Sequence, residues 1–276
     1  MKKYFISSFL LLIAFSCKEK IAKKSLNKNI EKITTEINFD KLVSNYSQWW
    51  TYYNYNIDLE SEFTGFDENE KVVSKKDFLE ILLSGHYIPL KLDSEKSQNE
   101  YQLYKIDESV YKDISNTIKS VAKTNLRYFN MEGKQFQPFD FVDINGINYS
   151  SKNTAGKTVI IKTWFINCQA CVAEFNELNE LVDKYKDDKS IVFISLALDS
   201  KTKLKKFLKK RNFKYAVVAG QEDYIYNKLD FQIFPTHIII DKEGYILKVV
   251  NNATKMISFL EQNISNQKRL APPSPN

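Results

Sequence analysis

The chain has 276 residues, of which 43% are hydrophobic and 27% are charged. That length allows two modest domains with a hydrophobic core in each, which excludes a largely disordered protein. The formal net charge of +6 is a small excess of basic residues. Nothing else in the sequence indicates nucleic-acid binding, so we expect no nucleic-acid partner.

The N-terminus has the pattern of a secretion signal. The basic start Met1-Lys2-Lys3 precedes an apolar stretch, residues 4–15, that is too short to span a bilayer as a helix. The stretch leads to Ala14-Phe15-Ser16-Cys17, which resembles a bacterial lipoprotein lipobox, although its second residue is larger than usual. We predict a lipoprotein signal peptide over residues 1–17 with an acylated Cys17, rather than a short buried helix with a free cysteine. The protein would then lie in the cell envelope, lipid-anchored to a membrane and facing the periplasm or the cell surface.

The chain contains only three cysteines. If Cys17 is acylated, the remaining two are Cys168 and Cys171, spaced C-x-x-C. A structural disulfide stabilises most when it closes a long loop, so one close pair in an exported protein indicates redox chemistry.

Residues 18–38 are rich in Lys, Asn and Ser, which is typical of a tether. Residues 39–130 then show a mixed pattern that predicts an α+β domain of unknown function. Aromatic residues crowd positions 46–55, where core packing is favoured over a partner-binding surface.

Three elements can be placed within this first domain. Apolar residues alternate with polar ones at Ile57, Leu59 and Phe63, as in a strand. Ser74 has the features of a helix N-cap before the apolar run 78–83, and Gly85 closes that helix. A second amphipathic helix is indicated by apolar residues at helical spacing: Val110, Tyr111, Ile114, Ile118 and Val121.

Residues 131–266 show an orderly alternation of strands and helices. Asn145-Gly146 between two short apolar segments predicts a β-hairpin. The continuous apolar run 157–165 is typical of a buried central strand, and a helix follows the cysteine pair. Further strands are predicted at 191–198, 215–219, 236–240 and 245–251, with helices at 202–212, 222–229 and 254–264. The pattern predicts an α/β fold with a mostly parallel sheet covered by helices, and a disordered tail at 267–276.

Basic residues cluster in the segment 201–214. They could face an anionic partner. Leu204, Phe207 and Leu208 supply a buried stripe between them, so a solvated helix face is favoured.

A C-x-x-C pair between a buried strand and a helix is suited to disulfide exchange. The first sulfur, on Cys168, lies at the helix N-terminus, where free amide groups and the dipole stabilise a thiolate. The second, on Cys171, can attack the resulting mixed disulfide. Zinc would need two more N or S ligands, and only His86 and His237 are available, so we expect no metal and no cofactor.

Three motifs stand out within residues 131–266: Trp164-x-x-x-Cys168-x-x-Cys171, Glu174-Phe175-x-x-Leu178 and Phe234-Pro235-Thr236. With these motifs, the segment resembles the thioredoxin-like TlpA/ResA family of exported disulfide reductases. The resemblance implies a thioredoxin-like fold and a thiol–disulfide oxidoreductase. Its partners would be protein thiols or disulfides in the cell envelope and a membrane-bound electron donor.

The resemblance also implies roles for single residues. Cys168 and Cys171 would be catalytic, and Pro235 would be a cis-proline facing the disulfide, rather than a trans proline that opens a strand. Phe234 and Trp164 would bind substrate, Phe234 through its backbone. Glu174 would be an active-site carboxylate that tunes the thiols, rather than an exposed helix glutamate.

The sequence departs from the family pattern at several positions. Asn167 stands where a Trp is usual, and Gln169-Ala170 replaces a Pro-containing dipeptide, so the direction of the chemistry is open. Lys162, where thioredoxins have a buried Asp, either lowers the cysteine pKa by its charge or carries its amine to solvent. His237 lies on the same strand face as Pro235 and could approach the site, although a satisfied core histidine is favoured.

We predict a disulfide reductase, with two alternatives. A peroxiredoxin-like peroxidase shares the fold, but Phe165 stands where a peroxidatic cysteine would have a preceding Thr or Ser. A Cu(I)-binding chaperone module could use Cys168, Cys171 and His237, although the C-x-x-C spacing disfavours it.

Overall fold

The computed structural model describes residues 39–93, 98–109 and 111–270. The predicted signal peptide with Cys17, the tether, Val110 and residues 271–276 lie outside these ranges. The chain divides into two compact units between Arg127 and Tyr128, three residues before the predicted boundary.

The first unit combines helices with a four-stranded sheet. Its sheet has the order β2-β1-β4-β3, in which β1 and β4 are parallel and the other two pairings are antiparallel. Its elements are α1 (Phe39–Val43), α2 (Tyr46–Asn56), β1 (Phe63–Phe66), β2 (Val72–Val73), α3 (Lys75–Leu82), β3 (Tyr87–Lys91), β4 (Asn99–Lys105) and most of α4 (Lys112–Met131).

The sequence located most, but not all, of these elements. The aromatic segment forms α2, with Trp49 fully buried and Tyr55 86% exposed, so it supplies both core and surface. Ser74 caps α3 by accepting a hydrogen bond from the Asp77 amide at 3.1 Å, as predicted. The predicted strand from Ile57 is wrong, because residues 57–62 form a loop that connects α2 to β1 and buries Ile57 and Leu59.

The second unit begins with a β-hairpin and then alternates strands and helices. The hairpin strands are β5 (Asp140–Val142) and β6 (Asn148–Ser150), as predicted. The remaining elements are β7 (Thr158–Trp164), α5 (Gln169–Ala173), α6 (Phe175–Lys184), β8 (Ile191–Ala197), α7 (Lys201–Leu208), β9 (Ala216–Val218), a π-helical turn (Tyr224–Lys228), β10 (Thr236–Ile240), β11 (Ile246–Val250) and α8 (Ala253–Leu270).

The main sheet has β7 at its centre, in the order β11-β10-β7-β8-β9. Only β10 runs against the other four strands, which confirms the mostly parallel sheet and the antiparallel pair at its end. No helix within the described ranges is long and apolar enough to cross a membrane.

In the second unit, two helix ends differ from the predictions by four residues or more. Helix α7 ends at Leu208 rather than 212, where a turn closes through the Lys210 amide and the Phe207 carbonyl. Helix α8 continues to Leu270, so residues 267–270 are helical rather than part of a disordered tail.

The two faces of the sheet carry separate apolar clusters. Along β7, Ile160 and Trp164 belong to the cluster that also contains both cysteines, whereas Val159 and Ile161 belong to the other. Because side chains alternate along a strand, Lys162 lies on the cysteine face.

Candidate active site

The cysteine pair lies directly beyond the central strand. Cys168 and Cys171 form a disulfide with a Cα–Cα distance of 5.2 Å. Cys168 is the N-cap of α5, and its Sγ accepts a hydrogen bond from the Cys171 amide at 3.1 Å. Cys168 is 8% exposed and Cys171 is fully buried. Cys168 therefore retains a small exposed surface, whereas Cys171 has none.

The loop from β7 to α5 is held at both ends. The Asp199 carboxylate accepts a hydrogen bond from the Ile166 amide at 2.7 Å, and the Phe165 carbonyl accepts one from the Cys168 amide at 3.1 Å. These bonds fix the backbone that presents Cys168. The role of Asp199 was missed from the sequence, because it follows a different strand, 31 residues after Cys168 in the numbering.

A buried charged cluster lies on the cysteine face of the sheet. Lys162 Nζ forms an ion pair with Oε2 of Glu174, and His237 Nε2 is 3.0 Å from the same oxygen. The other oxygen of Glu174, Oε1, accepts a hydrogen bond from the Ala253 amide at the start of α8, at 2.9 Å. Both carboxylate oxygens are thus occupied.

The fold explains why these groups meet. Lys162 lies directly opposite His237 in the antiparallel β7–β10 pair, and opposed residues share one face of a sheet. Glu174 stands at the junction between α5 and α6, above that face. Glu174 is 9% exposed and the other two are fully buried, so the exposed positions considered for Glu174 and Lys162 are wrong.

Burial and mutual contact shift the three pKa values. Burial alone would raise the pKa of Glu174, but the His237 hydrogen bond and the Lys162 charge outweigh it, and its pKa is lowered. Burial lowers the pKa of Lys162, and Glu174 opposes only part of this effect. Burial also lowers the pKa of His237 to about 4, against the hydrogen bond to Glu174. At neutral pH the cluster therefore pairs one cation with one anion beside a neutral imidazole.

The neutral imidazole has one free nitrogen. The contact with Glu174 Oε2 requires the proton to be on Nε2, which leaves Nδ1 as an acceptor. His237 Nδ1 is buried and has no hydrogen-bond partner among the described residues. His237 is thus a buried histidine, as favoured from the sequence, of which Nε2 is paired with a described residue.

Tyr215 is a buried neighbour that the sequence did not suggest. Its hydroxyl also has no hydrogen-bond partner within the described ranges. Burial and the Glu174 charge raise its pKa well above the usual value, so the phenol stays neutral.

Phe234 and Pro235 precede β10 at the same end of the sheet. The Phe234–Pro235 peptide bond is cis, as the resemblance implies. Thr236 pairs with Thr163, so Pro235 comes level with the last residue of β7. The Phe234 ring is partly exposed and packs edge-on against Phe165, with a centroid distance of 5.3 Å.

Trp164 does not fit the substrate-binding role expected for it. Its side chain is fully buried and packs edge-on against Phe175 and Phe213, at 5.0 and 5.7 Å between ring centroids. A side chain without exposed surface cannot contact a substrate protein, so Trp164 supports the helix layer over the site.

Metal ligands are not grouped in the part of the chain that the structure describes. No set of three or more His, Cys, Asp or Glu side chains there could hold a metal ion. A C-x-x-C disulfide at the start of a helix that follows the central strand, with a cis-proline directly before the neighbouring strand, defines a thioredoxin-like thiol–disulfide oxidoreductase.

Comparison with known proteins agrees with this class. The Redoxin family model matches residues 131–264. The thiol-disulfide oxidoreductase ResA of Bacillus cereus is 30% identical over 125 residues, covering 45% of this chain and 72% of the relative. ResA of Bacillus subtilis is 28% identical, covering 43% of this chain and 66% of the relative. The chain belongs to the ResA family of thiol–disulfide oxidoreductases.

Similar folds occur among solved structures. The thioredoxin domain of a thiol-disulfide oxidoreductase from Bacteroides vulgatus is 22% identical, with a TM-score of 0.43, covering 48% of this chain and 96% of that chain. A thiol:disulfide interchange protein from Bacteroides sp. is 22% identical, with a TM-score of 0.43, covering 48% of this chain and 88% of that chain.

Proposed function

We propose that this protein is an exported, membrane-anchored disulfide reductase that passes electrons to disulfides of other envelope proteins. The observation that carries the proposal is the asymmetry of the cysteine pair. Cys168 keeps 8% of its surface exposed and its Sγ accepts the Cys171 amide hydrogen bond at 3.1 Å, whereas Cys171 is fully buried. In the reduced protein this amide would stabilise a thiolate on Cys168, and the thiolate is the attacking species.

The reaction follows from these positions. The Cys168 thiolate attacks one sulfur of a substrate disulfide, forms a mixed disulfide and releases a substrate thiolate. Cys171, after losing its proton, attacks Cys168 Sγ and releases the second substrate thiolate. Two electrons pass to the substrate, and the protein is left with the Cys168–Cys171 disulfide. A membrane-bound electron donor must then reduce this disulfide again.

The buried cluster is proposed to tune the two thiols. Lys162 and Glu174 lie in the layer that contains the cysteines, and their charges act in opposite directions on a nearby thiolate. His237, neutral at neutral pH, holds the Glu174 carboxylate in place. The three residues are positioning residues in this proposal, since none is shown to touch a reacting sulfur.

Substrate contact is proposed for the segment before β10. The partly exposed Phe234 and the buried Pro235 precede β10 at the end of the sheet where β7 leads to Cys168. Substrate backbone would pair with the backbone of Phe234, as the family resemblance implies.

Export and anchoring are proposed from residues 1–17, whose pattern matches a lipoprotein signal. Two acyl chains hold a protein stably at a membrane, while one binds only weakly. Acylation at Cys17 would therefore keep the protein at a membrane, within reach of a membrane-bound donor.

Partner trapping tests the proposed chemistry. A Cys171→Ser variant lacks the resolving thiol and should accumulate mixed disulfides with substrate proteins in cells, whereas Cys168→Ser should accumulate almost none. The pre-reduced wild-type protein should also reduce the disulfides of insulin at least tenfold faster than either variant. Equal trapping by both variants would refute the assigned roles.

Two further measurements separate the alternatives. Consumption of hydrogen peroxide by the reduced protein, at rates above those of its insulin reduction, would favour a peroxidase. Tight anaerobic binding of one Cu(I) that is lost in His237→Gln would favour a copper-binding module. The proposal expects neither result.

A further inference from the structure

A groove of about 870 Å³ lies next to the cysteine pair, on the surface formed by α5, α6 and the end of α7. Asn167 and Gln169, the residues on either side of Cys168, both line it. A segment that occupies this groove therefore lies beside the residues that flank Cys168.

The groove has an apolar floor and an amide-bearing wall. Val172 and Phe207 are partly buried within it, while Asn167, Gln169 and Asn176 are exposed along it. Side-chain amides both donate and accept hydrogen bonds, so this wall suits the backbone of an extended peptide. A lipid headgroup would use neither the concave shape nor the row of amides.

One rim of the groove is basic. Lys210 and Arg211 line it and are exposed, and no acidic side chain is among its lining residues. The described part of the chain provides no ion-pair partner for either residue. By contrast, Lys214 on the same loop pairs with Asp183 at 2.5 Å. The two cations at the rim are thus free to bind an anion, whereas Lys214 is already engaged.

The basic rim is held firmly by the fold. Asn179 is buried, donates to the Asn212 carbonyl at 3.0 Å and accepts from the Lys214 amide at 2.8 Å. The Phe213 ring stacks on Phe175 with centroids 4.0 Å apart. The backbone directly after Arg211 is therefore anchored to α6, which keeps the basic rim next to the groove.

We propose that this groove binds an acidic, extended segment of the substrate protein that lies beside the disulfide to be exchanged. The inference rests on the proposed exchange function and adds the class of substrate. The two cations would attract the segment and raise the rate of encounter, and the wall of amides would align it with Cys168 Sγ. Substrates with basic residues at the same place would be disfavoured by like charge.

The test compares three synthetic peptides that contain the same disulfide, flanked by Glu, Gln or Lys residues. The second-order rate constant for oxidation of the pre-reduced full chain is measured for each. We expect the acidic peptide to react about tenfold faster than the neutral one at low salt, and the difference to shrink near 0.5 M salt, as for steered association.

Two double variants with the same change of net charge provide the control. Lys210→Glu with Arg211→Glu should abolish or invert the preference for the acidic peptide. Lys201→Glu with Lys203→Glu changes exposed lysines on α7 that do not line the groove, and should retain the preference. If both double variants lose the preference for the acidic peptide equally, the effect is one of general charge and the proposal is overturned.

A neutral small disulfide, hydroxyethyl disulfide, separates this inference from the proposed function. If it is reduced normally while the three peptides react equally, the groove does not select acidic segments but the exchange function stands. If it is not reduced at all, the exchange function itself fails. Binding to vesicles with 30% phosphatidylglycerol that is lost only in the groove variant, without peptide selectivity, would assign the rim to lipid and overturn the proposal.

Discussion

His237 lies directly opposite Lys162 in the β7–β10 pair, and both side chains contact the same oxygen, Oε2 of Glu174. The lysine is a buried cation, the glutamate a buried anion, and the histidine is neutral because burial lowers its pKa to about 4. The cluster thus has no net charge at neutral pH. Removing Lys162 or Glu174 therefore leaves the other as an uncompensated charge on the cysteine face of the sheet.

Neutralising Lys162 and neutralising Glu174 should shift the pH dependence of thiol alkylation in opposite directions. Lys162→Met leaves the Glu174 carboxylate, which disfavours a nearby thiolate, so alkylation of the reduced protein should reach half its maximal rate at higher pH. Glu174→Gln leaves the Lys162 ammonium, so the midpoint should move to lower pH. Iodoacetamide rates between pH 5 and 10 measure both, and a Lys157→Met variant outside the cluster is the control. Shifts in the same direction, or none, would show that the cluster does not tune the thiols.

The free energy of unfolding should show that Lys162 and Glu174 depend on each other. Breaking a buried ion pair from one side leaves an unpaired charge and costs about 3–5 kcal/mol, whereas replacing both members with apolar or neutral groups costs much less. The double variant Lys162→Met with Glu174→Gln should therefore unfold at higher urea concentration than either single variant. A double-mutant cycle on the second unit gives the interaction energy, and simple additivity of the two losses would argue against a coupled pair.

Acid should destabilise the second unit through His237. In the unfolded chain the imidazole takes up a proton near its ordinary pKa of about 6.5, but in the folded chain only near pH 4. Between these values the unfolded state binds more protons, so stability falls as pH falls, by about 3 kcal/mol in total. Glu174, whose pKa is lowered, adds a further loss below its ordinary value.

The measurement is urea unfolding between pH 7 and 4, followed by Trp164 fluorescence in a background where Trp49 and Trp50 are Phe. His237→Gln should flatten the dependence between pH 6.5 and 4. His86→Gln, which changes the other, exposed histidine, should leave it intact. A slope that survives His237→Gln would assign the acid sensitivity to other groups.

The sequence predicted the elements that carry the cysteines because their signals are local. The continuous apolar run 157–165 became β7, Thr158–Trp164, since a strand covered on both faces has no polar alternation. The cysteine motif likewise placed Cys168 at a helix start. In the first unit, the alternation at Ile57 and Leu59 was misleading because a loop that packs on a core can also bury alternate residues.

The contacts within the site could not be predicted in the same way. Lys162, Glu174 and His237 meet through strand register and the position of the α5–α6 junction, and the Ala253 amide lies 79 residues after Glu174. The alternation of side chains along β10 predicted that His237 shares a face with Pro235, but it could not predict the contact with the Glu174 carboxylate. Trp164 was misassigned because membership of a motif gives no information on burial.

Acylation of Cys17 should keep the mature protein in the membrane fraction. The expected result for the full chain is pelleting with membranes and incorporation of a labelled fatty acid, because two acyl chains anchor a protein stably. Cys17→Ser should abolish the incorporated label. A soluble pool of mature protein made from a chain with residues 1–16 intact would contradict the predicted anchor.

In the reduced wild type, Cys168 should be alkylated before Cys171. Cys168 is 8% exposed and its Sγ faces the Cys171 amide, while Cys171 is fully buried and reaches only a sulfur already bonded to Cys168. A brief pulse of iodoacetamide at neutral pH, followed by peptide mass spectrometry, should therefore find at least ten times more label on Cys168. Cys168→Ser controls for access, since its remaining thiol should react at a rate close to that of Cys171 in the wild type. Faster labelling of Cys171 would reverse the assignment of attacking and resolving thiols.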